Sequence, residues 1–272
     1  MLVVRLNLFY PPRANAVVMD PVRAMTYNVR VDTPEDGEDG WPYRRDAVAG
    51  TIRYHDPDVL GLQELLAGQL ADVRERLDRY RFVGRSRGAG EATDEYVPVG
   101  YAHDRFELVE SETFWLSETP TVAGSVGWDA VHPRVCTSAR LRERASGEQF
   151  AVYCIHLDHE GRTARERGAE LVRARVAASD VPTIVLGDFN CEAGDPAHDV
   201  LTESLRDSRA AATYDHGPNT TRNDYRTLHA DWTIDHVLLS DAWSVDSRAV
   251  CSDQYANGRY PSDHLPVVVD LS

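Results

Sequence analysis

Polar residues with metal and proton chemistry close or follow the apolar runs of this 272-residue chain. Asn28 ends the run through MTYN, Glu64 follows DVLGLQ, and His156 ends AVYCI. Asp188 and Asn190 follow PTIVLG, Asp235 follows Trp232-Thr233-Ile234, and Asp263-His264 precedes LPVVVDL. Carboxylates and amide oxygens are hard donors that suit Mg²⁺ or Mn²⁺. Imidazoles add a charge or a proton-transfer group near neutral pH. Together they form the inventory for metal-assisted attack of water on phosphorus. Taken singly, most of these residues read equally well as turn caps or solvated charges.

Delivery of such groups at strand ends needs a rigid scaffold. Short apolar runs predict strands over 22–31, 58–62, 81–84, 96–102, 106–110, 113–116, 182–187, 234–239, 244–250 and 265–271. A hairpin is expected from 133–143 and 148–157 around Ala145-Ser146-Gly147. Helical spacing covers 41–54, 66–77, 163–178 and 197–205, with an acidic loop at 32–40 and a polar stretch at 207–230. This pattern implies an α+β fold, a four-layer α/β sandwich of two packed mixed β-sheets flanked by helices. A doubly wound parallel sheet is the alternative, but hairpin-like neighbours argue against it, because parallel neighbours need long crossovers.

The strings MTYNVR, GLQE, IHLDH, GDFN, TIDHVL and SDHLPV occur in one order from about Met25 to Leu271. In that order they resemble the endonuclease/exonuclease/phosphatase superfamily. The resemblance implies the same sandwich and a set of roles. Glu64 would be the principal metal ligand, with Asn28 beside it and Asp263 at the metal or nucleophile. Asp188 would orient or deprotonate the attacking water. Asn190 would hydrogen-bond the scissile phosphate or the metal shell, and Asp235 would orient His264, which would stabilise charge on the phosphoryl oxygens. His156 would contact the phosphate, oriented by Glu95. His159 would stand behind the site, and Arg134 would contact phosphate or form an ordinary ion pair. His236 alternates with Asp235 and should face away. His132, His198, His216 and His229 read as surface or loop residues, and the tryptophans as core or rim.

Composition sets further bounds. Net charge is -15 and all 29 basic residues are arginine. An acidic, lysine-free chain fits a cytoplasm of molar salt, where the Debye length is about 3 Å and net charge says little about a polyanionic partner. Local clustering of arginine around the site matters instead. Cys136, Cys154, Cys191 and Cys251 lack metal-site spacing and read as buried thiols of a reducing cytoplasm. Residues 1–18 read as a non-native or disordered extension ahead of a single domain over 19–272. No apolar run is long enough for a bilayer, so no membrane partner is expected. A monomer is expected.

The substrate is less constrained. Glu64 is followed by Leu65-Leu66, unlike members that resemble abasic-site endonucleases, and Leu186 and Cys191 differ from inositol-phosphatase-like members. The leading expectation is hydrolysis of a phosphodiester, with nucleic acid or a nucleotide as substrate. The alternatives are a phosphomonoesterase acting on a small sugar or inositol phosphate, a non-catalytic binding module, and a metal-binding protein without hydrolase activity. An open arginine-lined groove would favour the diester, and a closed pocket with basic groups gripping remote phosphates the monoester.

Overall fold

The computed structural model describes residues 19–91 and 94–272, apart from the side chain of Asn257. The expected extension at 1–18 lies outside the described residues. Among the described residues thirteen strands run in chain order: β1 (Val22–Asn28), β2 (Val59–Gln63), β3 (Tyr80–Val83), β4 (Val99–Ala102), β5 (Phe106–Trp115), β6 (Val135–Glu143), β7 (Gln149–His156), β8 (Thr183–Asp188), β9 (Arg206–Asp207), β10 (Tyr214–His216), β11 (Asp235–Leu239), β12 (Val245–Val250) and β13 (Val267–Leu271). The principal helices are α1 (Trp41–His55), α2 (Ala67–Arg76), α3 (Arg162–Ala177) and α4 (Pro196–Thr202). Among the described residues no helix is long and apolar enough to cross a membrane.

The strands form two mixed sheets, in the orders β10-β12-β13-β1-β2-β4-β3 and β5-β6-β7-β8-β11-β9. Period-two alternation gives each central strand two apolar faces. Ala24, Val59, Val152, Leu186 and Val237 face inward and build the core between the sheets. Met25 and Leu60 face outward onto Val48 and Ile52 of α1 and Leu70 of α2. Ile155, Val185 and Leu238 face outward onto Val172 of α3 and Leu201 of α4. The result is the four-layer sandwich that the strand and helix order implied.

Some elements differ from expectation. The runs at 106–110 and 113–116 are one strand, β5, carrying an irregularity between Leu108 and Glu110. Its interior, rich in exposed charge, hides the continuity from an apolar pattern. The acidic loop holds a 3-10 turn, Pro34–Asp39. The polar stretch supplies the edge strands β9 and β10 and the single turn Ser208–Ala211. Edge strands need little apolar character, so their composition resembles a loop.

Close approach of the sheets fixes one glycine. A Cβ on Gly61, in β2, would lie 2.0 Å from Leu186 Cδ1 and 2.6 Å from Cys154 Sγ. Overpacking of this kind costs about 1–3 kcal/mol, so Gly61→Ala should lower the unfolding free energy by about that amount. Urea or guanidinium titration of the variant beside the unaltered chain measures it.

Candidate active site

The same alternation that builds the inner core ends it in polar residues. On β1, Ala24 and Thr26 lead inward to Asn28, and on β7, Val152 and Cys154 lead to His156. On β8, Ile184 and Leu186 lead to Asp188, while β11 begins with Asp235 on the inner face. Register brings them together. Parallel β7 and β8 pair His156 with Asp188, and antiparallel β11 and β8 pair Asp235 with Asp188. Asn28, His156, Asp188, Asp235 and His264 are all buried at this end of the sandwich.

Asp188 is the hub. Its Oδ2 accepts from Asn28 Nδ2 at 3.0 Å, with His156 Nε2 at 3.5 Å and His264 Nε2 at 3.7 Å. Its Oδ1 accepts from the Asn190 backbone N–H at 2.9 Å. Asn190 adopts a φ of 49° and donates its side-chain amide to the Leu157 carbonyl at 2.9 Å. Asparagine tolerates this left-handed conformation better than most residues. Glu64 has a φ of 66° without that tolerance. Its two carboxylate oxygens accept from Asn28 Nδ2 at 2.8 Å and from the Val31 backbone N–H at 3.0 Å. Backbone strain held in place by such bonds is typical of functional positions.

His264 forms a dyad with Asp235, donating from Nδ1 to Oδ2 at 2.8 Å. Burial opposes a charge on His264, but the anionic Asp235 and Asp188 outweigh it and lift the imidazole to about 9. His156 has the opposite environment. Burial, with Arg134 and Arg87 nearby, holds it well below the usual imidazole range. One histidine is therefore a cation and the other neutral near pH 7, a separation that assigns different chemistry to each. Burial also pushes Asp188 up, against the pull of His264.

Several expected contacts take a different form. Asn28 presents its NH₂ to Glu64 and Asp188, because its Oδ1 accepts from the Arg30 backbone N–H at 3.0 Å. It bridges the two carboxylates as a donor. Asp263 pairs with Arg222 at 3.0 Å. Glu95 does not orient His156: it pairs with Arg87 at 2.7 Å, and among the described residues His156 Nδ1 is buried without a partner. Burial and the nearby Glu64 charge push Glu95 up to about 7. Arg134 is buried between Asp158, at 3.2 Å, and Nδ1 of His159, at 2.8 Å. His236 faces away as its alternation requires, donating from Nε2 to the Cys191 carbonyl at 3.0 Å. His198 is no surface residue. It is buried on α4 with Nε2 3.0 Å from Asp207, because α4 packs this face onto the sheet. The cysteines are all buried and free.

Glu64, His156, Asp188, Asn190, Asp263 and His264 line a cleft of about 430 Å³. Four arginines line it, Arg30, Arg87, Arg134 and Arg222, against four carboxylates, Glu64, Glu95, Asp188 and Asp263. These arginines balance these carboxylates, and the cationic His264 in the same lining tips the cleft positive in a chain of net charge -15. Sequence patterning gave no hint of Arg30, Arg87 or Arg222, which sit in loops without periodicity. Arg222 comes from the polar stretch, where Leu265 donates its backbone N–H to Thr221 and Thr221 Oγ1 accepts from the N–H groups of Ile234 and Asp235. That segment therefore fixes both members of the Asp235–His264 dyad.

The donor set fits a divalent cation. Ligand atoms of Glu64, His156 and Asp188 lie within 4.8 Å of one another. Two of the three are carboxylates, the hard donors that such ions prefer.

The model of the Endonuclease/Exonuclease/phosphatase family matches residues 25–264. Among solved structures, an endonuclease/exonuclease/phosphatase family protein from Bacteroides thetaiotaomicron is 34% identical with a TM-score of 0.88, covering 93% of this chain and 95% of that one. A mannosyl-6-phosphatase of Bacteroides thetaiotaomicron is also 34% identical, with a TM-score of 0.88 over 92% of this chain and 99% of that one. Nocturnin of Drosophila melanogaster is 24% identical over 66% of this chain and 30% of its own length. Nocturnin of Mus musculus is 24% identical over 93% of this chain and 66% of its own length. The chain thus spans less than two thirds of these curated relatives.

Proposed function

The chain belongs to the endonuclease/exonuclease/phosphatase family, and on that premise we propose that it is a Mg²⁺- or Mn²⁺-assisted phosphomonoesterase acting on a small hydroxylated phosphate, such as a sugar phosphate. The observation that carries this reading is the cleft. Its charged groups gather in a hollow of about 430 Å³, within the range for small-molecule sites. Likeness to a mannosyl-6-phosphatase, 34% identical, supports the same substrate class.

Glu64 and Asp188 would hold the cation, with His156 beside them. The bound ion supplies Lewis-acid neutralisation of charge at a phosphoryl oxygen. Asp188 accepts the proton of the attacking water, a role suited to a carboxylate buried at the floor of the cleft. Asn28 and the Asn190 backbone N–H keep its carboxylate aimed. Cationic His264 donates to the phosphoryl oxygens as negative charge develops there. Asp235 holds that ring in orientation and stabilises its charge. Arg222 and Arg134 line the same hollow and are suited to grip the remaining phosphate oxygens.

A second reading keeps the phosphodiester substrate. Trp232 lines the cleft, is 41% exposed and stacks on His229 with ring centroids 5.5 Å apart. Arg222 lies over the same ring at 5.3 Å, and an arginine–aromatic rim of this kind suits a nucleobase as well as a sugar. Competing hydrolysis of p-nitrophenyl phosphate and its bis ester separates the readings. The assay belongs both at low salt and in about 2 M KCl, where charge repulsion is screened within a few ångströms. Preference for the monoester supports the proposal. Preference for the diester overturns it in favour of the second reading.

A further inference from the structure

We infer that Arg87 and Glu95 form a hydroxyl-recognition subsite beside the metal-binding group, selecting phosphate esters whose alcohol part carries neighbouring hydroxyls. The inference rests on the phosphomonoesterase reading and deepens it.

Backbone pairing fixes the subsite. Leu65, directly after Glu64, exchanges backbone hydrogen bonds with Tyr96, directly after Glu95, at 2.7 and 3.4 Å. Arg87 donates its backbone N–H to the Glu95 carbonyl at 2.8 Å. Glu64, Glu95 and Arg87 therefore reach the cleft from adjoining backbone, and all three line it.

Glu95 is only 9% exposed. One carboxylate oxygen forms an ion pair with the Arg87 guanidinium at 2.7 Å, while Oε2 is buried with no partner among the described residues. An unpaired buried acceptor is unfavourable and calls for a ligand that donates to it. A second cation is a poorer match than a hydroxyl. Among the described residues Glu95 does not join the Glu64, His156 and Asp188 group, and Arg87 already balances its charge. A hydroxyl both donates and accepts. Neighbouring hydroxyls can donate to Glu95 Oε2 and accept from the Arg87 fork together. The pair has no counterpart to recognise on p-nitrophenyl phosphate, whose leaving group has no hydroxyl.

The test compares kcat/KM for a hexose 6-phosphate with kcat/KM for p-nitrophenyl phosphate, in the unaltered chain and in Glu95→Gln. The ratio should fall about tenfold in the variant, the scale of one charged hydrogen bond. The loss should appear in KM for the hexose phosphate. Glu95→Asp, which keeps the charge but shortens the reach, should lower the ratio in the same direction and serves if Glu95→Gln does not fold. A ratio within about twofold of the unaltered chain in the folded variant overturns the subsite. So does an equal fall of kcat on both substrates, which would place Glu95 in the metal or proton machinery. Monoesterase activity with an unchanged ratio removes the subsite alone. Preference of the unaltered chain for the bis ester removes the phosphomonoesterase reading, and the subsite with it.

Discussion

Asp188→Asn should lower kcat/KM by about a thousandfold or more while leaving the fold intact, because one residue combines proton acceptance with metal binding. The change is nearly isosteric. An asparagine Oδ1 can still accept from the Asn190 N–H or from Asn28, bonds that Asp188 makes at 2.9 and 3.0 Å. The amide cannot accept the proton of water, and it brings an NH₂ toward Asn28. Phosphate release measured beside a thermal melt distinguishes the outcomes. A folded variant retaining more than about a tenth of the activity would remove Asp188 from the proposed role.

Asp235→Asn should cost about 10²–10⁴ in kcat/KM, the range seen when a histidine loses its charged orienting partner or a charged donor is lost. The pH profile carries the sharper reading. His264 is held up to about 9, against burial, chiefly by Asp235 and Asp188. Its cation is present below that value and is lost as pH rises through it. Activity should therefore fall on the basic side near pH 9. Removing the Asp235 charge should move that basic limb to lower pH. A basic limb that stays in place in Asp235→Asn would detach His264 from the observed titration.

Much of the architecture could be read from apolar runs. Wherever a strand is buried on both faces, as in β1, β2, β7 and β8, its residues form a short continuous run with a polar end. Those polar ends are Asn28, Gln63, His156 and Asp188, and alternation alone placed His236 opposite Asp235. Reading failed where composition carried no period. Arg30, Arg87 and Arg222 enter the cleft from loops, and their placement depends on backbone pairing across distant segments. The pairing of Glu95 with Arg87 rather than with His156 is of the same kind. His198 looked like a surface residue because a short polar helix gives little sign of which face it buries. The buried Arg44 on α1 makes the same point, donating to the Arg30 carbonyl at 2.7 Å and to the Asp39 carbonyl at 2.9 Å to brace the loop after Asn28.

The central claim is that this cleft hydrolyses a phosphomonoester with the help of a divalent cation. The most direct measurement is phosphate release from a hexose 6-phosphate by chelator-treated protein, before and after addition of Mg²⁺ or Mn²⁺. Cation-assisted hydrolysis requires no release without the ion, restoration by either ion, and no restoration in Asp188→Asn. Release that survives chelation, or that persists unchanged in Asp188→Asn, would contradict it.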